Sequence, residues 1–386
     1  MSLITMDHAE TILPQISQWR RTFHENPEVG NQEWETAQTI IRILTKMGVE
    51  CVQVPDQTGV IGHVYGAKLG PVVALRADMD ALPIQEVPGR VYGSRNEGIM
   101  HACGHDAHMA IQLGAAALLA ETRSHWVGEV RLLFEPAEET VGGAQPLIEA
   151  NCLQDVSAVI GLHMQPSLQV GQLQTRVGAM SGYNDSLDIT VHGRSCHGAY
   201  PERGVDAVVL ASQLVCALQT LVSRFISPFD NVVLSFGQIH GGTARNVIAD
   251  SVRLIGTLRT LNQEVRTRIK EQIVSLSRGL CEGLGGGCTV EVKPGYHAVL
   301  CERSLVSNLR LLADAVGIEV LEKPAPSLGV DSFGDYCAHV PGLYYDLGCV
   351  SEPNAPPIHT ADFDIDERCL ALGAYLQARL ALSVMT

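Results

Sequence analysis

The stretch YNDSLDITVHG, Tyr183–Gly193, alternates polar and apolar residues with a period of two, the pattern of a strand with one face in water. It breaks with everything before it. A helical pattern follows from Val205 to Phe225, then two more alternating runs, NVVLSFGQIHGG from Asn231 and NVIADSVRLIGTLRT from Asn246. A helix from Asn262 to Cys281 and the run CTVEVKPGYHAV from Cys288 complete a β-α-β-β-α-β order. That order is a ferredoxin-like split unit, whose ends lie close enough to return the chain to a host domain.

The host is read on either side. Amphipathic helices are expected over Met6–His24 and Glu33–Met47. Short apolar or β-branched runs follow: VIGHVYG from Val60, VVALRA from Val72, VRLLF from Val130 and SAVIGLH from Ser157. The helical stretch HMAIQLGAAALLAE lies among them. Beyond the small unit come a helix over Ser304–Val316, a strand at GLYYDLG from Gly342 and a last helix from Asp366. Strands alternating with helices predict a mostly parallel sheet covered on both faces. The expected fold class is α/β: a discontinuous catalytic domain over residues 1–180 and 295–386, with an α+β domain inserted over 181–294.

Composition narrows the function. At 386 residues the chain can bury a large core without staples. A net charge of −15 disfavours nucleic acid and anionic membrane as partners. The eleven cysteines include no CxxC pair. Those in apolar runs, such as Cys216, Cys281 and Cys369, read as buried free thiols of a cytoplasmic protein. MSLITMDHAETI at the start lacks the pattern of a signal peptide. The uncharged run from Ala207 reads as a buried helix too short to span a bilayer.

Polar clusters sit at the ends of the host's strands. VVALRADMDALP ends on Asp78 and Asp80, VRLLFEPAEE on Glu138 and Glu139 after Pro136, and SAVIGLHM on His163. GIMHACGHDAH sets Cys103 and His105 before a long helix. In open α/β sheets, ligands bind beyond the carboxyl ends of the strands. A thiolate, imidazoles and carboxylates form a donor set for a borderline-soft divalent ion. Of two adjacent glutamates, one can hold metal while the other acts as base. His101 and His108 read as structural, and Asp78 as the end of a strand.

These segments, with RTFHENPEVGNQEWET, CHGAYPERGVDAV, GGTARNVIAD and PIHTADFDIDE, resemble the M20 metallopeptidases. The likeness is to the amidohydrolase branch that includes N-acyl-amino-acid, hippurate and auxin-conjugate hydrolases. The resemblance implies two divalent ions, Mn²⁺ or Zn²⁺. Cys103 would bridge them, with His105, Glu139, His163 and His359 as further ligands. It also implies Glu138 as general base and then acid, and Asp80 as the residue that orients a ligand. His197 would reach the scissile carbonyl from a partner subunit, and Asn246 and Arg245 would contact substrate. The inserted domain would be a dimerisation or lid domain, its edge strand pairing with a second copy in a homodimer or higher homo-oligomer. Two positions depart from the family pattern: Glu135 stands where Gln is usual, and Val330-Asp331-Ser332-Phe333 stands where Ser-Glu-Asp-Phe is usual.

The expected activity is hydrolysis of the amide of a small N-acyl amino acid or related conjugate. Two other readings stay open. One is a metal-free cysteine hydrolase using Cys103, and the other a non-catalytic small-molecule-binding relative.

Overall fold

Strand Val72–Asp78 lies at the centre of the larger sheet. It pairs in parallel with Glu129–Glu135 on one side and Val156–Gln169 on the other, and Gly342–Val350 adds in parallel beyond the latter. Val60–Tyr65 and Glu50–Gln53 extend one edge in antiparallel register. Short strands complete ten in all. The central strands are apolar and buried almost end to end, as strands covered on both faces must be. This computed structural model describes residues 4–352 and 354–385.

Helix His105–Glu121 is buried on nearly all sides, which its run of Ala, Leu, Ile and Met allows. It packs against helices Leu13–Glu25 and Cys369–Val384. The expected single helix over Met6–His24 is two, Met6–Thr11 and Leu13–Glu25, because Pro14 sits in the first turn of the second. A buried network joins this layer. Arg20 donates to Asp106 at 2.7 Å and to Asp364 at 2.7 Å, while His24 bridges Asp106 at 2.8 Å and Glu86 at 3.0 Å.

Burial opposes ionisation of Glu86, but His24, the Ser94 N–H and Arg90 hold its carboxyl down at about 2. A folded value below the unfolded one makes this a stability that is present above about 4.5 and lost as pH falls toward about 2. Glu86→Gln should therefore flatten the acid limb of a plot of unfolding free energy against pH. An unchanged limb would show that the network contributes nothing through Glu86.

The chain divides into two compact units. The larger comprises Met1–Met180, Val299–Ala325 and Asp331–Thr386, and the smaller comprises Ser181–Ala298 and Pro326–Val330. In the smaller, four antiparallel strands lie in the order Gly287–Pro294, Tyr183–His192, Ser251–Thr260, Val232–Gly241. Helices Ala207–Thr220 and Gln263–Gly283 pack on this sheet. One expectation fails here. The segment Ala207–Phe225 is 19 residues long and apolar enough to cross a membrane by length and composition, yet only six of those residues are buried. Leu210, Leu214 and Leu218 face the core, whereas Val208, Val209 and Cys216 are exposed. As far as Ser223 its outer face is uncharged rather than covered, so composition alone read it as core. Cys216 is accordingly an exposed thiol, while Cys281 and Cys369 are buried.

Candidate metal centre

The site grows from the carboxyl ends of the parallel strands. Asp78 closes its strand and Asp80 follows two residues later. Gly104, at φ +86°, caps helix His105–Glu121, so Cys103 and His105 flank a left-handed corner. A side chain at Gly104 would start 2.8 Å from Met164 Cγ, so glycine serves both the turn and the close approach. His163 does not end its strand. The strand continues to Gln169, and His163 lies opposite Asp346, past the last residue paired with Val72–Asp78. His359 has φ +64° and donates its N–H to the Ala102 carbonyl at 2.7 Å, which sets it beside Cys103.

Cys103 Sγ stands 3.4 Å from Nε2 of His163 and 3.2 Å from Nε2 of His359. Nε2 of His359 is in turn 3.0 Å from Oε1 of Glu139. Cys103–His105–His163, Cys103–Glu139–His359 and His105–Glu138–Glu139 each place three donor atoms within 4.8 Å of one another. These sets overlap, and Cys103, His105 and Glu139 are each shared by two of them.

Hydrogen bonds decide which ring nitrogens are free. The Nδ1–H of His105 donates to the Asp80 carbonyl at 2.8 Å, and that of His163 to the Met164 carbonyl at 2.8 Å. Both rings therefore direct an Nε2 lone pair inward, as metal-ligating histidines do. Nε2 of His105 is buried and makes no hydrogen bond among the described residues. Buried polar atoms are rarely left so. An imidazole lone pair left free beside a thiol, two further imidazoles and a carboxylate fits divalent ions with N, O and S ligands. His108 differs. Its Nε2 accepts the Met164 N–H at 2.9 Å and its Nδ1–H donates to Asp78 at 2.5 Å, leaving no lone pair for an ion. Although Asp78, His105 and His108 also lie close together, His108 is structural, as its sequence context suggests. His101 is buried with neither ring nitrogen hydrogen-bonded among the described residues.

Charge in the site is unbalanced. Arg76 alone pairs with Asp78 at 2.5 Å, Glu135 at 2.7 Å and, at 3.4 Å, Asp331. Burial and then the charge of Asp331 push the Glu138 carboxyl well above the usual range. Glu139 goes the other way: burial opposes its charge, but His359 and His105 bring it down to about 2. Two neighbouring glutamates so separated are suited to different tasks. Burial drives the Cys103 thiol well above its usual value.

Four residues in this shell carry more than their sequence context suggests. Asp78 joins Arg76 to His108. Glu135 accepts from Arg76 and from Ser332 Oγ at 2.6 Å, so the charge at this departure is matched by a guanidinium. The Ser332 N–H donates to Glu138 at 3.3 Å, and Asp331 accepts from Tyr344. Apart from the Arg76–Asp78 pair within one strand, their partners lie in other segments of the chain, so no local signal marks them. Asp80 accepts the N–H groups of both Glu138, at 3.1 Å, and Glu139, at 3.0 Å.

The smaller unit holds the remaining candidates. His197 pairs with Val247, and the Gly198 N–H donates to the Asn246 carbonyl at 2.8 Å, so the two loops carrying His197 and Asn246 lie side by side. Nδ1 of His197 accepts the Ala199 N–H at 3.1 Å, which leaves Nε2 as the donor end of a neutral ring. His197, Arg245 and Asn246 are all exposed.

Comparison with known proteins places this geometry. Residues 74–383 match the model of peptidase family M20/M25/M40. The chain is 36% identical to the N-acetyl-L-cysteine deacetylase of Bacillus subtilis (strain 168), over 95% of this chain and 87% of that protein. It is 36% identical to thermostable carboxypeptidase 2 of Saccharolobus solfataricus, over 95% and 94%. Identity to IAA-amino acid hydrolase ILR1-like 5 of Arabidopsis thaliana is 38%, over 94% and 85%. Among solved structures, the Bacillus subtilis YXEP protein, described as a dinuclear metal binding peptidase from the M20 family, superposes with a TM-score of 0.86. It shares 31% identity over 97% of this chain and 99% of that one.

Proposed function

The chain belongs to the M20/M25/M40 peptidase family, and on that premise we propose that it hydrolyses the amide bond of small N-acyl amino acids or related conjugates. Metal-dependent amide hydrolysis is common ground among its relatives. The narrower substrate class is our reading, supported by a relative that is an N-acetyl-L-cysteine deacetylase and another that is an IAA-amino acid hydrolase. The observation that carries the reading is the meeting of Cys103, His105, Glu139, His163 and His359 beside a second, differently poised carboxylate, Glu138.

Two divalent ions, Mn²⁺ or Zn²⁺, would be held by Cys103, His105, Glu139, His163 and His359. Bound there, such ions would supply Lewis-acid chemistry, lowering the pKa of water and polarising a carbonyl. The protein's own residues do the rest. Glu138, with a carboxyl raised by burial and by Asp331, takes a proton from the attacking water and passes it to the departing amine nitrogen as the C–N bond breaks. Asp80 fixes both halves of the site, by its carbonyl on His105 and its carboxylate on the Glu138 and Glu139 amides. His197 would direct its Nε2–H to the carbonyl oxygen as negative charge develops there, supplied by a second copy of the chain in a homodimer. Asn246 and Arg245 would hold the substrate's polar groups. The eleven unpaired cysteines favour a reducing cytoplasm.

The cysteine-hydrolase reading is weakened by Cys103 itself. Nucleophilic thiols have lowered pKa values, and burial raises this one. A non-catalytic binding protein would have no use for Glu138 in its raised state.

Amine release from a panel of N-acetyl and N-benzoyl amino acids should vanish on chelation and return with Mn²⁺ or Zn²⁺. Activity indifferent to chelator would overturn the metal-dependent reading. Light scattering should give a dimer, and a monomer would remove the role given to His197.

A further inference from the structure

The turn Pro136–Glu139 carries both glutamates, and three of its successive N–H groups end on carboxylates. Asp80 takes those of Glu138 and Glu139. The third, of Ala137, donates at 2.8 Å to Oε1 of Glu33, a residue more than a hundred positions earlier in the chain. Glu33 is fully buried, and its Oε2 accepts the Thr58 hydroxyl at 2.7 Å. Ala137 has φ +54°, a left-handed conformation that a residue with a side chain adopts only when its surroundings impose it. The segment leading to Glu33 is pressed onto the turn as well. A side chain at Gly30 would start 2.7 Å from Thr140 Oγ1 and 3.0 Å from Ala137 Cα.

We propose that Glu33 is a positioning residue for catalysis: by holding the Ala137 N–H it keeps the turn left-handed and so sets Glu138 against the substrate and Glu139 against the metal. Burying a carboxylate to satisfy one amide and one hydroxyl is an expensive way to stabilise a turn, and a glycine at 137 would have given the conformation more simply. The two glutamates next to Ala137 in the chain give the pairing its purpose. Asp80 fixes their amides, and Glu33 fixes the residue whose φ decides where those amides point.

The proposal rests on the metal-hydrolase reading above, and its test separates the two. Full-length protein carrying Glu33→Gln, Glu33→Asp or Glu33→Ala is stripped of metal. Mn²⁺ affinity is then measured by titration calorimetry, and kcat and KM on the best amide of the panel. Gln keeps an acceptor oxygen at the same reach, and its amide can donate to Thr58 Oγ. Asp keeps the charge but falls short by one methylene. We expect Glu33→Gln to stay within about threefold of the parent, and Asp and Ala to lose about 30-fold in kcat with KM nearly unchanged. The same two variants should bind Mn²⁺ about tenfold more weakly.

A role in folding alone would lower activity only in step with the folded fraction seen by circular dichroism. That result, or an Asp variant equal to the parent, overturns the proposal. If the Ala variant does not fold, the Gln and Asp pair still decides. Failure of the parent itself to bind Mn²⁺ would count against the metal centre and, with it, against Glu33 as its support.

Discussion

Glu138→Gln should lower kcat by about a thousandfold, within the range of roughly 10²–10⁴ expected for loss of a general acid–base group, and leave the metal content unchanged. Gln has the shape of Glu, so the Ser332 N–H keeps an acceptor at Oε1 and Asp80 keeps the backbone amide. What disappears is the ability to take a proton from water and hand it to the leaving nitrogen. Glu138 shares a donor set with His105 and Glu139 but not with Cys103 or His359, so its removal leaves most of the ligands intact. Metal analysis beside steady-state kinetics distinguishes the roles. Loss of a metal ion in this variant would make Glu138 a ligand, and normal turnover would end its assignment as base.

Cys103→Ala should abolish measurable activity and weaken metal binding by more than about 100-fold, since loss even of a residue that merely orients a ligand costs roughly 10–100-fold. Cys103 is the donor common to the His105–His163 and the Glu139–His359 sets. Without it both lose a member. The effect can be read without a substrate. A ligand at a hundred times its Kd stabilises the folded state by about 2.7 kcal/mol, so Mn²⁺ should raise the thermal midpoint of the parent and not that of the variant. The metal-free variant should unfold near the metal-free parent, because a thiol is a weak hydrogen-bond partner and His359 keeps Glu139 at 3.0 Å. A Cys103→Ala protein that still gains stability from Mn²⁺ would show that the ions do not depend on the thiol.

Tertiary structure and sequence divide this protein unevenly. The alternation at Tyr183–Gly193, the apolar runs at Val72 and Gly342 and the ligand-rich string Met100–His108 were legible because each is local. Period two marks a half-exposed strand, and an unbroken apolar run marks a buried one. The residue types of the site were legible too, since thiol, imidazole and carboxylate in such density have few uses besides binding an ion. Locality is also where that legibility stops. The stretch Ala207–Ser223 shows an uncharged face, and composition does not reveal whether such a face is covered. His105 and His108 stand three residues apart on one helix and look alike in sequence. They differ because the Met164 amide occupies Nε2 of one ring while no hydrogen bond among the described residues occupies Nε2 of the other. Glu33, Arg76, Glu135 and Ser332 take their roles from partners up to 256 residues away. The sequence by itself determined the two-part fold and the donor inventory, because periodicity and residue chemistry are properties of neighbours in the chain. Only the tertiary structure decided which lone pairs are free and which carboxylates hold the turn, because a hydrogen bond is settled by distance and direction between groups the chain brings together only on folding.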